Sequence, residues 1–348
     1  MISLPLYQTF QRYRTLQTGR ITALPIVILM PNSSCNCRCV MCDIWKGNKN
    51  RRQLTEEDVS RLLSSLKKLL TRRIVMSGGE ALLHPNFFRL CEMLKQQRIK
   101  ITLLSTGLTV RQHSADILKY IDELIISLDG DEQTHDNIRN VPGAYGKLFH
   151  SVTTLKTLKP DFKISGRTVI HRYNFRKWTA IIDCAHAMRL DRISFLPADV
   201  GSHAFNREIL WDDNRQHDLL LSKEDLPELQ KIINQIISCY SGDIKKHFIA
   251  EPAEKLQRIY TYYAAYYGLN PFPEKKCNAP WVSAVIEADG SVKPCFFHQT
   301  TGNIRKNTLP EILNSKSALN FRRTLDMNEN PVCKKCVCYL NLSPRAVI

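Results

Sequence analysis

Cys35-Asn36-Cys37-Arg38-Cys39-Val40-Met41-Cys42 places four of the chain's twelve cysteines within eight residues. Cys35, Cys39 and Cys42 are separated by three and then two residues. Soft thiolates this close together suit an iron–sulfur cluster or zinc. A cubane held by three protein thiolates leaves one iron open, and that iron can hold a cofactor. A zinc knuckle or a set of buried free thiols uses the same residues. Just upstream, Ile26-Val27-Ile28-Leu29-Met30 is an unbroken apolar run, as expected of a buried parallel strand. Ligands that follow the C-terminal end of a strand sit where barrel chemistry sits.

Further downstream the pattern alternates. Glu56 to Leu70 has helical apolar spacing behind a Thr55/Asp58 capping box. Helices are also expected over 87–97, 112–120, 145–158 and 178–188. Strands are expected over 74–77, 101–104, 124–128, 162–170 and 193–196. With Ile26–Met30 that gives six strands separated by five helices, the alternation of a parallel α/β sheet. Periodicity alone does not choose between a doubly wound sheet and an open barrel. Residues 4–20 read as an amphipathic helix, with Leu6, Phe10 and Tyr13 on one side and Arg12 and Arg14 on another. Residues 199–223 read as an irregular loop, and 226–237 as a helix closing the barrel. Residues 251–267 read as a tyrosine-rich helix, whose aromatic face either stacks a sugar or base or packs between domains. Pro271 and Pro273 mark a boundary.

The composition is that of a globular chain, 43% hydrophobic and 24% charged. No run of 18 apolar residues occurs, and the N-terminus lacks a signal-peptide core. Twelve cysteines then point to a reducing, cytoplasmic setting in which clustered Cys binds metal. A formal net charge of +16 favours an anionic partner. Residues 1–53 hold eight Lys/Arg against one Asp.

The cysteine spacing resembles that of the radical S-adenosylmethionine (radical SAM) superfamily, with Met41 where an aromatic is usual. Asn36 to Lys46 is similar to the version ending Met-Cys-Asp-Ile-Trp-Lys. The resemblance implies a partial (β/α)6 barrel. It also implies a [4Fe–4S] cluster on Cys35, Cys39 and Cys42 that binds SAM. Ser77-Gly78-Gly79-Glu80 resembles the family's motif for the SAM amino group, with Ala81 in place of the usual Pro. Gly78, Gly79 and Glu80 are therefore expected at the cofactor. Ser127-Leu128-Asp129-Gly130, with His135, Asp136 and Arg139, resembles the fourth-strand segment of members that carry SPASM or twitch extensions. Ser127 is assigned to SAM, with Asn174 and Leu196 as further cofactor candidates. Asp129 and Arg139 serve the cofactor or hold the loop together.

A second thiol set lies near the C-terminus. Cys277 is followed by Gly290, then Cys295, and later by Cys333 and Cys336. Asp289-Gly290 is a tight-turn signal that would bring Cys277 and Cys295 together on a hairpin. Zinc fits the same four residues. The segment resembles a twitch domain, a shortened SPASM domain, which implies one auxiliary [4Fe–4S] cluster, with Cys338 a possible alternative to Cys336. The expected organisation is residues 1–22 as a basic segment, 23–215 as the core, 216–270 as a helical connector and 271–348 as the auxiliary domain.

The resemblance implies reductive cleavage of SAM to a 5′-deoxyadenosyl radical that abstracts hydrogen, with flavodoxin or ferredoxin as electron donor. Phe296 stands where sulfatase maturases place an Asp base. Only 34 residues precede Cys35, fewer than an N-terminal peptide-recognition domain needs. These points favour a small sugar-like or phosphorylated metabolite and an oxidoreductase reaction. Peptide modification remains an alternative. A tRNA-modifying enzyme would suit the charge, but no RNA-binding module is evident. A non-catalytic iron–sulfur or zinc module would suit the cysteines alone, but leaves the Gly-Gly-Glu unexplained.

Overall fold

The computed structural model describes residues 4–207 and 209–348. The first three residues of the expected 1–22 segment, and residue 208 of the 199–223 loop, lie outside the described residues. Six strands follow one another with helices between them: β1 (Ile26–Leu29), β2 (Arg73–Met76), β3 (Lys100–Ser105), β4 (Glu123–Ser127), β5 (Lys163–Ile170) and β6 (Arg192–Pro197). The helices are α1 (Leu4–Thr18), α2 (Glu56–Lys68), α3 (Phe87–Gln96), α4 (Ser114–Tyr120), α5 (Glu132–Arg139), α6 (Ala144–Leu158) and α7 (Trp178–Ala187). All neighbouring pairs from β1 to β6 run parallel. This is the partial barrel of alternating strands and helices expected from the sequence.

Local chemistry sets the element ends. Thr55 and Asp58 form the expected capping box of α2. Acidic residues fill its first turn and Lys67 and Lys68 its last, complementing the helix dipole. Helix α5 falls in a stretch to which the sequence pattern assigns no helix. Asp131 caps it by accepting from the Thr134 N–H, and Asn140 ends it at φ 52°. An Asp start and an Asn stop were the available signals.

The sheet is longer than six strands. β7 (Ser283–Ile286) pairs in parallel with β1, and β8 (Ser291–Lys293) and β9 (Gly302–Asn303) continue antiparallel. The order is β6-β5-β4-β3-β2-β1-β7-β8-β9. The Asp289-Gly290 turn does join a hairpin, with Gly290 at φ 83°. Cys277 and Cys295 of the second thiol set therefore flank an extension of the barrel sheet itself.

The two faces of the strands differ. Phe195 packs on Trp178 of α7, with ring centroids 5.2 Å apart. Alternation then puts Ser194 and Leu196 on the inner face, away from α7. Arg73 donates to Thr102 Oγ1 at 2.7 Å and to Glu123 Oε2 at 2.9 Å. This places a polar belt across one face of β2, β3 and β4. β1, β2 and β4 alternate buried and half-buried residues, where the apolar run of β1 alone suggests burial on both faces.

Four helices follow β6, α8 (Asp213–His217), α9 (Leu226–Cys239), α10 (Ser241–Lys245) and α11 (Ala253–Ala265), and further short helices lie in the C-terminal part, among them Lys316–Thr324 and Pro331–Lys334. The tyrosines of α11 are packing residues. Tyr263 OH donates to the Ile170 carbonyl and accepts from the Ala198 N–H, and Tyr262 OH donates to the Ala198 carbonyl at 2.9 Å. Helix α1 is oriented contrary to its apolar pattern. Leu6, Phe10 and Tyr13 are exposed, while Gln8, Arg12 and Thr15 are buried. Hydrogen bonds decide this. Thr15 Oγ1 accepts from the N–H groups of Thr22 and Ala23, and Arg12 donates to the Ala346 carbonyl at 2.7 Å.

Candidate active site and metal centres

The cysteine loop leaves β1 and is held from several sides. Asn48 accepts from the Cys35 N–H and donates to the Cys35 carbonyl, both at 2.9 Å. The N–H groups of Arg38 and Val40 donate to the carbonyls of Arg139 and Ile138 at 3.0 Å. Arg207 donates to the Met41 carbonyl at 3.3 Å, and Trp211 Nε1 to Asp43 at 2.7 Å. The loop is fixed in shape by the chain itself.

Its thiols differ in character. Hydrogen bonding from Cys37, with the Arg139 guanidinium behind it, pulls the Cys39 thiol down to about 6. Hydrogen bonds with Cys35 and then Cys39 push Cys37 up against the pull of Arg139, and burial pushes Cys42 up. Of these three, Cys39 is the readiest thiolate. Buried polar atoms without partners flank these donors: Ser34 Oγ, Asn36 Nδ2 and Trp45 Nε1. Soft donors beside unsatisfied hydrogen-bonding groups fit an iron–sulfur cluster with a polar ligand next to it. Among the described residues no three His, Cys, Asp or Glu side chains converge on a single-ion cage.

Gly78, Gly79 and Glu80 lie against this loop. A Cβ on Gly78 would sit 2.7 Å from the Asn32 carbonyl oxygen, and one on Gly79 only 2.1 Å from that of Ser34. The clearance expected for a ligand is thus filled, at least in part, by the chain's own backbone. Glu80 is fully buried. Its carboxylate accepts from the Thr106 N–H and Oγ1 at 2.7 Å, from Ser105 at 3.1 Å and from the Leu82 N–H at 3.2 Å. Burial pushes this carboxyl up, while the Thr106 donors pull it back. Glu80 therefore ties the β2 and β3 ends together.

Ser127 ends β4 half-buried, in the same alternation as Glu123 and Ile125. Next to it, Asp129 and Arg139 form a buried ion pair, and Arg139 Nη1 also donates to Cys39 Sγ at 3.4 Å. Asn174 is spent on backbone. It donates to the Asp129 and Val169 carbonyls at 3.0 Å and accepts from the His171 N–H at 2.9 Å. It locks the β4 and β5 loops, so the side chain expected at the cofactor has its donors and acceptor committed elsewhere. His135 and His171 are fully buried with Nε2 unpartnered, a feature the sequence reading did not single out.

The second thiol set is half-buried throughout. Asn330 caps the turn carrying Cys333 by accepting from the N–H groups of Val332 and Cys333. Burial pushes Cys295 up to about 12 and Cys333 up to about 11, with neighbouring thiols adding to both. The Cys336 thiol donates to the Cys338 carbonyl at 2.8 Å, and the Cys338 side chain is exposed. His298 Nε2 lies 3.3 Å from Cys333 Sγ. Sequence reasoning missed His298; its position three residues after Cys295 was the only signal. The hairpin is tied back to the first thiol loop, because Arg52 donates to Asp289 at 2.8 Å.

Family models match this arrangement in two places. Residues 30–185 match the radical SAM superfamily. Residues 277–337 match an iron–sulfur cluster-binding domain, SPASM. The chain is a radical SAM protein with a C-terminal SPASM domain. The cofactors that follow from these two domains are a SAM-binding [4Fe–4S] cluster and auxiliary iron–sulfur binding.

This radical SAM chain is 24% identical to the subtilosin biosynthesis protein AlbA of Bacillus subtilis, over 81% of its own length and 57% of AlbA's. It is 22% identical to the Fe-coproporphyrin III synthase of Methanosarcina barkeri, covering 92% of this chain and 84% of that protein. It is 24% identical to a cysteine-type anaerobic sulfatase-maturating enzyme of Clostridium novyi, covering 91% and 86%. In fold it is similar to Streptococcus suis SuiB bound to S-adenosylmethionine, with a TM-score of 0.65, 16% identity and coverage of 99% and 82%. No helix among the described residues is long and apolar enough to cross a membrane.

Proposed function

We propose that this enzyme uses SAM to withdraw hydrogen from a peptide substrate. Cys35, Cys39 and Cys42 would hold the SAM-binding cluster, and Cys277, Cys295, Cys333 and Cys336 one auxiliary cluster. The observation that carries the reading is the pairing of β7 with β1, extended by the Met30 N–H to the Ile286 carbonyl at 2.8 Å. One sheet thereby carries the first thiol loop and, through β7 and β8, Cys277 and Cys295 of the second set.

When bound, SAM and its cluster supply the electron and the hydrogen-abstracting radical. The chain's own residues do the positioning. Arg139 donates to Cys39 and favours its thiolate. Glu80 holds the β2 and β3 ends together, and Asn48 pins Cys35. Ser127 sits at the strand end beside them as a ribose- or carboxylate-binding hydroxyl. A flavodoxin or ferredoxin suits the basic face around Arg38, Lys49, Arg51 and Arg52 as electron donor.

The small sugar-like or phosphorylated substrate expected from the sequence finds no support among the relatives. Their names point to peptides and proteins, as in subtilosin biosynthesis and sporulation killing factor maturation, or to haem-type tetrapyrroles. The peptide reading takes its place. The first test is anaerobic reconstitution, reduction with dithionite and chromatographic measurement of 5′-deoxyadenosine. Wild type should form it, and Cys39→Ala should not. Equal formation by both would overturn the placement of the SAM site.

A further inference from the structure

A cavity of about 190 Å3 lies on the inner side of β6, between β5, helix α11 and the segment Cys336–Tyr339. Four cations line it, Arg167, Lys255, Arg258 and Lys275, with Glu251 as the one acidic lining residue. Arg258 donates to Tyr339 OH at 3.2 Å, Lys275 donates to the Lys334 carbonyl at 2.8 Å, and Lys255 lies 5.3 Å from the Tyr339 ring centroid. Among the described residues, none of the four reaches an Asp or Glu within ion-pairing distance. Glu251 instead accepts from the Phe195 N–H at 3.0 Å.

Four positive groups facing one concave space repel one another, and an anion placed among them relieves that repulsion. Guanidinium groups favour carboxylates through paired N–H donors. Leu196, Ile259 and Val337 supply apolar wall for an aliphatic stem. Size narrows the ligand further. An engineered cavity of about 150 Å3 accommodates benzene, so this one holds a single side chain and not a macrocycle.

We propose that the cavity receives a carboxylate of the peptide substrate, an Asp or Glu side chain or a C-terminus. It would anchor that group against the Cys336 turn while the reacting carbon lies elsewhere on the inner face. The inference rests on the peptide reading above and names the residue type which that substrate must carry.

The test is fluorescence anisotropy with a labelled Gly–Glu repeat peptide, its Gly–Gln counterpart and coproporphyrin III as competitor, all with the full chain. The Gly–Glu peptide should bind, and the Gly–Gln peptide at least about tenfold more weakly. Lys255→Glu/Arg258→Glu should lose about tenfold or more. Lys67→Glu/Lys68→Glu, the same charge change on α2, should lose much less. Circular dichroism melts establish that both variants fold, and Arg167→Gln gives a milder second probe expected to weaken binding severalfold. Equal binding of the two peptides, or equal losses in the two double variants, overturns the cavity assignment and leaves SAM cleavage untouched. If coproporphyrin III binds through Lys255 and Arg258 while the Gly–Glu peptide fails, the peptide reading falls with it.

Discussion

The amide of Glu80 donates to the carbonyl of Ser34 at 2.8 Å. That single bond joins the turn after β2 to the residue preceding the first cysteine. It brings the two backbones so close that only glycine fits between them. A Cβ on Gly79 would meet the Ser34 oxygen at 2.1 Å and the Cys35 nitrogen at 3.0 Å. The atoms in the way belong to backbone and cannot swing aside.

Gly79→Ala should therefore displace the cysteine loop. Overpacking of this kind costs about 1–3 kcal/mol. A lower melting temperature and a reduced iron content after reconstitution are expected together. A variant with wild-type melting and iron content would show that the loop yields freely.

Arg139 bonds both Asp129 and Cys39. Asp129 is fully buried, and burial pushes its carboxyl up against the pull of Arg139. Removing the guanidinium strands that carboxylate, a change that costs about 3–5 kcal/mol. Arg139→Gln should destabilise strongly, and Asp129→Asn in the same chain should restore part of the loss. Chemical denaturation of the two single variants and the double variant checks this. Strictly additive losses would mean that the pair does not act as a unit.

Much of this was legible because local patterns carry it. The strand–helix alternation, the Thr55 cap and the Asp289-Gly290 turn each depend on residues a few positions apart. What was not legible depends on partners far away in sequence. Asn174 looked like a ligand but is consumed by the Asp129 and Val169 carbonyls. Helix α1 presents Leu6, Phe10 and Tyr13 outward because Thr15 and Arg12 find hydrogen bonds on the other side. The pairing of β7 with β1 joins residues some 250 positions apart, and no periodicity encodes it.

Glu251 should give the fold a pH dependence. Burial pushes its carboxyl from 4.5 up to about 7. A raised carboxyl pKa means that the folded state favours the neutral form. The stability it contributes is full below about 4.5 and is lost as pH rises through about 7. The loss is on the order of 3 kcal/mol at most. Glu251→Gln keeps an acceptor for the Phe195 N–H and removes the titration. Its melting temperature should be flatter than that of wild type between these limits and higher at pH 8. An unchanged slope would mean that Glu251 titrates normally.

The two thiol sets should separate by role. Cys277 and Cys295 flank the β7–β8 hairpin, whereas Cys35, Cys39 and Cys42 sit on a loop with its own ties to Asn48, Ile138 and Arg139. Losing the C-terminal thiols should leave that loop intact. Cys277→Ala/Cys295→Ala should lower iron after reconstitution from about eight to about four per chain. Uncoupled SAM cleavage should survive at a reduced rate, while turnover of the substrate collapses, because the second electron of an oxidation loses its acceptor. The competing account is that the extension only braces the sheet, since β7 covers the free edge of β1. A melting curve decides between them, because a bracing role predicts unfolding and a redox role predicts a folded, substrate-dead enzyme. A folded double variant that still converts substrate normally would remove the auxiliary cluster from the chemistry.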